Sequence, residues 1–264
     1  RAAGRWGMTG SLRGFGLVEL MVAMLLGLTL VLALVQYLAS SRQTWLWQQQ
    51  SARMQEDARY VLGRLSRDLR ASGSYGCLDL EQALPGGLPE VLARPVRFEQ
   101  GVLTLITGLP VQPVFGTPQT IRAADYGARW LLAGDCRQRV SLGEEHTLMV
   151  LPGDWLVPLR QIDYRQQGGR IQVRVNGVGN FETLIEHVAR FEPGFALAEN
   201  IGNVGVSGSY QATLSSAEQA RLRSVRIELA LEPGASGVSV GSGRGQVFRQ
   251  VTRLRNRPDG FVNE

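Results

Sequence analysis

The most distinct pattern in the chain is a long apolar run near its N-terminus. Between Leu17 and Ala39 the only charged residue is Glu19. About 20 apolar residues in a helix, at ~1.5 Å per residue, cover the roughly 30 Å hydrocarbon core of a bilayer. The run therefore predicts a transmembrane helix over residues 15–40.

Glu19 is the informative exception in this run. A carboxylate in a membrane segment costs about 2.5–3.5 kcal/mol at the helix centre and less near an interface, so it is a functional candidate that needs a partner. Arg1, Arg5 and Arg13 precede the run, without any acid. The positive-inside bias keeps such an N-terminus in the cytoplasm and places the residues after the run outside it. A secretory leader has a shorter apolar core and a small-residue cleavage site after it, and this run has neither.

Apolar residues take up helical spacing after the run, recurring every three, four or seven positions. They are Trp47, Met54, Ala58, Val61, Leu62, Leu65 and Leu69. The opposite face is charged, with Arg53, Glu56, Asp57, Arg59, Arg64, Arg67 and Asp68. This pattern predicts that the helix continues amphipathically over residues 41–71, with the part after Met54 buried against the chain's own domain. Glycine and serine between residues 72 and 76 end it.

Short apolar or alternating runs between turn residues follow Cys77 and are typical of strands. The candidates are residues 102–107, 129–132, 146–151, 161–164, 171–176, 224–231 and 246–255. Residues 181–190 and 215–221 fit short helices instead. We expect residues 72–264 to form a globular β-rich head, most simply one antiparallel sheet packed on the amphipathic helix, which is an α+β fold.

Basic residues exceed acidic ones by five, and every one of the 28 is arginine. The absence of lysine excludes a Walker A lysine, a Schiff-base lysine and a Ser-Lys dyad. Three of the arginines precede the apolar run, so their removal would lower the net charge of +5 by three and weaken the case for nucleic acid as a partner.

Cys77 and Cys136 are the only cysteines. Outside the cytoplasm such a pair is expected to form a disulfide, and two free buried thiols are the alternative. A metal or redox role is disfavoured because the chain has no CxxC motif and no nearby histidine cluster.

Other polar motifs give no catalytic, metal or cofactor site. His146 and His187 follow no nucleophile elbow. The glycine-rich stretch 241–245 does not lie between a strand and a helix, as a phosphate-binding loop would. Asp154 and Asp163 lack the alternating acids of a calcium loop. Arginines alternate at positions 253, 255 and 257, which fits a charged edge strand, with an acidic partner subunit or DNA as alternatives.

The start of the chain resembles the cleavage and methylation signal of type IV prepilins, carried by RGF at residues 13–15 and GLVELMVAM at 16–24. The resemblance implies that residues 1–14 are a leader, that prepilin peptidase cleaves after Gly14, and that Phe15 becomes the N-methylated terminus. It also implies that Glu19 meets the terminal amine of a neighbouring subunit. Residue 16 departs from the family, which usually has Thr or Ser where this chain has Gly16.

Further segments resemble the PilW group of minor pilins: QEDARYVL (55–62), LSRDLR (65–70), SGSYGC (72–77), VRIELAL (225–231) and VFRQVTRLRNR (247–257). The resemblance implies a pilin fold, in which a long N-terminal helix packs on a C-terminal antiparallel sheet.

The resemblance also implies a low-abundance subunit, without enzyme activity, that primes type IV pilus assembly and lies near the pilus tip, supporting twitching motility and adhesion. Its partners would be other minor pilins, the major pilin, the assembly platform and a large tip adhesin, with DNA disfavoured. The head would be periplasmic while the subunit is in the inner membrane, and the assembled subunit would be in the pilus at the cell surface. A minor pseudopilin of a type II secretion system is the alternative, and a membrane-anchored periplasmic enzyme a weaker one.

Overall fold

The structure is a computed structural model. It describes residues 14, 16–77, 80, 84, 86–143, 147–200, 205–206, 208–233, 245–254 and 256. Two compact units divide the chain, Arg1–Gln49 and Gln50–Glu264.

Helix α1 spans Leu17–Ala71 and contributes to both units. It begins where the carbonyl of Gly16 accepts the N–H groups of Glu19 at 3.0 Å and Leu20 at 3.2 Å. Leucine and alanine are abundant in it, and both have high helix propensity. At its C-terminal end the Ser72 hydroxyl donates to the Leu69 carbonyl at 2.7 Å, which satisfies one of the carbonyls that a helix end leaves without a partner.

The rest of the described chain is mainly β-structure, with one four-residue helix, α2 (Glu90–Ala93), and two 3-10 helices, Ala123–Tyr126 and Ser216–Arg221. The strands, in chain order, are β1 (Val96–Glu99), β2 (Val102–Gly108), β3 (Gln112–Pro113), β4 (Gln119–Arg122), β5 (Trp130–Gly134), β6 (Val140–Leu142), β7 (Thr147–Val150), β8 (Trp155–Gln167), β9 (Arg170–Val175), β10 (Glu182–Ile185), β11 (Val188–Leu197), β12 (Leu222–Leu231) and β13 (Gln246–Arg253).

These strands form three antiparallel sheets. The largest has eight strands in the order β1-β2-β8-β5-β6, with β3 and β9 also paired to β8 and β10 paired to β9. β8 can hold this sheet together because its 13 residues are long enough to pair with two strands along each edge. The other sheets are β11-β12-β13 and β4-β7. The architecture is α+β, as the sequence predicts, but the expectation of one sheet is wrong.

The main hydrophobic core lies between the second half of α1 and the two larger sheets. The predicted apolar positions of α1 from Met54 onward are all buried. Leu65 and Leu69 have no exposed surface, and burying a leucine side chain fully stabilises a fold by roughly 1.5–3 kcal/mol. The amphipathic pattern therefore predicts the helix face that packs on the sheets.

The segment 181–190 contradicts the predicted short helix. It contains β10 and the start of β11, which are separated by Glu186 and by His187 at φ +60°. β10 pairs with β9 and β11 pairs with β12, so adjacent residues in the sequence belong to two different sheets. The prediction for residues 215–221 comes close, since Ser216–Arg221 is a 3-10 helix.

Candidate functional site

The first part of α1 is the candidate membrane segment. It is long and apolar enough to cross a membrane, and its side chains from Leu17 to Trp45 are exposed within the chain. An exposed apolar surface of this length favours burial in a bilayer or against other helices. This finding agrees with the predicted membrane-capable helix.

Glu19 lies in the first turn of α1 and its side chain is exposed. An acid in the first turn of a helix is favoured by the helix dipole. Leu20 and Met21, which follow it, are 52% and 58% exposed. The carboxylate therefore stands on an apolar helix surface that any partner would have to cover.

The predicted cleavage position lies directly before this helix. Gly14 is exposed, and a Cβ atom built on it would meet nothing within 4 Å. Phe15 lies outside the described residues, so the structure adds nothing on it. Gly14 and Glu19 thus lie on either side of the start of α1, and their predicted roles stay predictions.

Cys77 and Cys136 form a disulfide, with their Cα atoms 5.5 Å apart, which confirms the predicted bridge. The bond joins the segment after α1 to the turn after β5. In that turn one oxygen of Asp135 accepts the N–H groups of Arg137, Gln138 and Arg139 at 2.9–3.0 Å. These hydrogen bonds hold the pKa of Asp135 well below its usual range. The carboxylate therefore fixes the turn that presents Cys136.

The predicted polar face of α1 is wrong at Asp68. The sequence pattern places it among the exposed charges, but the structure buries it. Its carboxylate accepts a hydrogen bond from the Tyr164 hydroxyl and lies 3.9 Å from the guanidinium of Arg160. Tyr164 and Arg160 both belong to β8, so Asp68 links the helix to the centre of the eight-stranded sheet.

Two further buried acids have arginine partners. Asp163 accepts hydrogen bonds from Arg174 at 3.0 Å, from Gln161 at 2.8 Å and from Thr104 at 2.9 Å. Asp154 lies 2.5 Å from Arg139. Arginine is the residue best suited to pairing with a buried carboxylate, because its planar group offers several donors. Neither acid has the surroundings of a metal ligand, and no group of three or more metal-binding side chains lies among the described residues.

The outer face of the β11-β12-β13 sheet carries a ladder of charges. Glu228 on β12 lies 2.6 Å from Arg190 on β11 and 2.7 Å from Arg249 on β13. Hydrogen bonding to Arg249 lowers the pKa of Glu228. Arg253 is exposed on β13, as expected of an edge strand, whereas positions 255 and 257 of the predicted alternation lie outside the described residues.

Among the described residues, the first part of α1 offers an exposed apolar surface, and the disulfide and the acid–arginine pairs connect the elements of the head. Sequence reasoning did not find the link between Asp68 and Tyr164, because its two residues are 96 positions apart. Comparison of the chain with protein-family models, with curated proteins and with solved structures finds no match.

Proposed function

We propose that this protein is a minor pilin of the PilW group that primes assembly of a type IV pilus. The observation that carries the proposal is the signal at residues 13–24 together with the helix that follows it. That helix is exposed and apolar in its first part, and one face of its second part is buried in the hydrophobic core of the head.

Each part of the helix supports a separate step of assembly. The apolar part is suited to the inner membrane before assembly and to the packed helices of a filament core afterwards, since both surround it with apolar atoms. Glu19 pairs with the N-terminal amine of an adjacent subunit, because each charge alone is costly in such surroundings. The head stays outside the membrane, where the disulfide between Cys77 and Cys136 persists.

The proposed partners are those that the resemblance to type IV prepilins implies. Prepilin peptidase removes residues 1–14 in the inner membrane, and the assembly platform receives the processed subunit. Other minor pilins, the major pilin and a large tip adhesin contact it in the filament, at or near the tip. The arginines of β13 are engaged with an acid or form a charged edge strand, so DNA is not among the proposed partners.

The mass of the N-terminal peptide of the mature protein from its native host tests the proposal. We expect a peptide that begins at N-methylated Phe15. A mature chain that keeps residues before Phe15 contradicts the proposal and leaves a fixed membrane anchor.

Deletion of the gene separates the pilus from the pseudopilus of a type II secretion system. Loss of surface filaments and twitching with normal protein secretion is the expected result. Loss of secretion with normal filaments would favour the pseudopilin instead. The test is needed because pilins and pseudopilins share the signal and the arrangement of helix and sheet.

A further inference from the structure

A cavity of about 510 Å³ lies on one face of the eight-stranded sheet, beside the disulfide. Cys77 and Cys136 contribute to its wall, together with residues of β5, β6 and β8. Pockets that bind small molecules span roughly 300–1,000 Å³. The volume therefore suits a ligand of modest size.

Strand register sets one row of the cavity wall. Gly134 lies opposite Trp155 on one side and opposite Val140 on the other, so the three residues form one row across β8, β5 and β6. Directly opposed residues in antiparallel strands share a face. A Cβ atom at Gly134 would collide with the carbonyl of Arg139. The glycine is thus required by the backbone, and it adds no side chain to this row of the cavity wall.

The next row of the same face forms a buried apolar base. Leu132 lies opposite Val157, and both are nearly inaccessible to solvent. Two other apolar side chains of the cavity wall remain open to solvent, with Val111 46% and Trp155 43% exposed. An indole that is half exposed beside a recess offers an aromatic surface on which a planar group can stack.

The wall determines which ligands fit. None of its twelve described residues carries a charged side chain, and an ionised group loses far too much hydration to enter an apolar site without a partner. Its side-chain hydroxyls come from Ser74 and Tyr75. The Tyr75 hydroxyl donates to the carbonyl of Leu92 at 2.7 Å, so it already has a partner within the chain.

We propose that this cavity binds an uncharged, largely apolar small molecule with an aromatic ring, which stacks against Trp155. The site belongs to the head alone. It does not depend on the proposed role in pilus assembly, and its residues are remote in the sequence from Gly14 and Glu19.

Photolabelling of the full chain in lipid nanodiscs tests the proposal, with benzophenone as an uncharged aromatic probe. Illuminated samples are digested, and labelled peptides are measured by mass spectrometry over a range of probe concentrations. We expect saturable labelling of the peptides that contain Val111 and Trp155, and competition by excess naphthalene. Labelling that rises linearly with concentration, or that spares these peptides, overturns the proposal.

Two variants and a matched control make the test specific. Val111→Trp fills the opening and should abolish saturable labelling, whereas Val178→Trp makes the same change at a valine outside the cavity wall and should leave it intact. Trp155→Leu keeps an apolar wall without the ring, and should weaken binding by about three- to tenfold. Circular dichroism checks the fold of each variant. If Val111→Trp is unfolded, the result for Trp155→Leu decides the test. Equal saturable labelling in wild type and a folded cavity variant overturns the proposal.

Discussion

The hydroxyl of Tyr164 donates a hydrogen bond to the carboxylate of Asp68, 96 residues earlier in the chain. Tyr164 has no exposed surface and Asp68 is 8% exposed. Burial raises the pKa of Tyr164, with the charge of Asp68 as the next cause, so the phenol remains a proton donor. A buried negative charge on α1 is therefore satisfied by the central strand of the eight-stranded sheet.

Replacing Tyr164 with phenylalanine should destabilise the head. The change keeps the ring but leaves the Asp68 carboxylate without its hydroxyl donor, and hydrogen bonds to charged groups contribute about 1.5–3 kcal/mol. Urea unfolding of the full chain in detergent measures the free energy of unfolding. Tyr210→Phe is the matched control, because its hydroxyl contacts a neutral partner, Ser224, at 3.2 Å. A smaller loss for Tyr164→Phe than for this control would show that the buried hydrogen bond contributes little.

Removing the disulfide should lower stability by a larger amount. The bridge closes a loop with a sequence separation of 59, and the chain-entropy model gives about 4 kcal/mol for a loop of that length. Urea unfolding of the double variant Cys77→Ser, Cys136→Ser should show this loss, and dithiothreitol should lower the stability of the wild type but not of the variant. If reduction leaves the wild-type midpoint unchanged, the bridge does not constrain the unfolded chain.

Hydrophobic spacing is enough to predict α1 and its buried face, because a helix repeats its contacts locally. The same reasoning fails at Asp68. A charged residue beside the apolar stripe of α1 is expected to be exposed, and the sequence does not show that Tyr164 of β8 packs over it as a hydrogen-bond donor. The reasoning fails also at β8, where residues 161–164 were predicted but the strand begins at Trp155. Pro158 interrupts the pattern there, because proline has no N–H to donate to a neighbouring strand. Its carbonyl still accepts the N–H of Leu109 at 2.8 Å.

The helix predicted around His187 is wrong for a different reason. Its mixed polarity gives neither clean alternation nor a helical stripe, because β10 and β11 belong to different sheets and turn different faces to the core. The cavity beside Trp155 cannot be predicted from the sequence either. It depends on the register that sets Gly134 between Trp155 and Val140, and register is a long-range property of the sheet.

Stability should depend on pH through Glu218. Its carboxylate accepts the hydroxyl of Ser215 at 2.7 Å and the N–H of the same residue at 2.9 Å. These bonds lower the pKa of Glu218 from 4.5 to about 2. Because the folded pKa is depressed, the stabilisation is complete above the unfolded pKa of 4.5 and is lost as pH falls toward about 2.

Comparing Glu218→Gln with the wild type isolates this effect. The melting temperature of the variant should be lower at neutral pH, and the difference should shrink as the pH falls from 4.5 toward about 2. Glu56→Gln, at an exposed acid of α1, changes the net charge equally and is the control. A difference that stays constant over this range would mean that the Glu218 carboxylate is not stabilised by its Ser215 hydrogen bonds.

Replacing Gly14 should block processing of the chain. If prepilin peptidase cleaves after this residue, the side chain of Gly14→Val obstructs the cut and the protein stays in the inner membrane with its leader. Gly16→Ala is the control, because a Cβ atom there meets nothing within 4 Å and the residue lies beyond the cleaved bond. The mass of the N-terminal peptide is the measurement, and cleavage of Gly14→Val at a normal level would refute the assigned site.

Glu19→Val should leave cleavage largely intact and reduce incorporation into filaments. Breaking a buried charge pair by removing one partner costs about 3–5 kcal/mol, so we expect at least about a tenfold loss, since 1.4 kcal/mol is a factor of ten. The amount of this chain in sheared surface filaments is the measurement, with the N-terminal peptide mass as the check on cleavage.

Glu56→Val is the matched control for this variant, because it removes an exposed acid from the same helix outside the apolar run. Glu56→Val should enter filaments normally if the loss of incorporation in Glu19→Val is caused by removing the charge in the apolar segment. Equal losses in both variants would point to a general change in the helix. Normal incorporation of Glu19→Val would contradict the charge pair, and Glu19 would then be an acid whose carboxylate remains at the membrane surface.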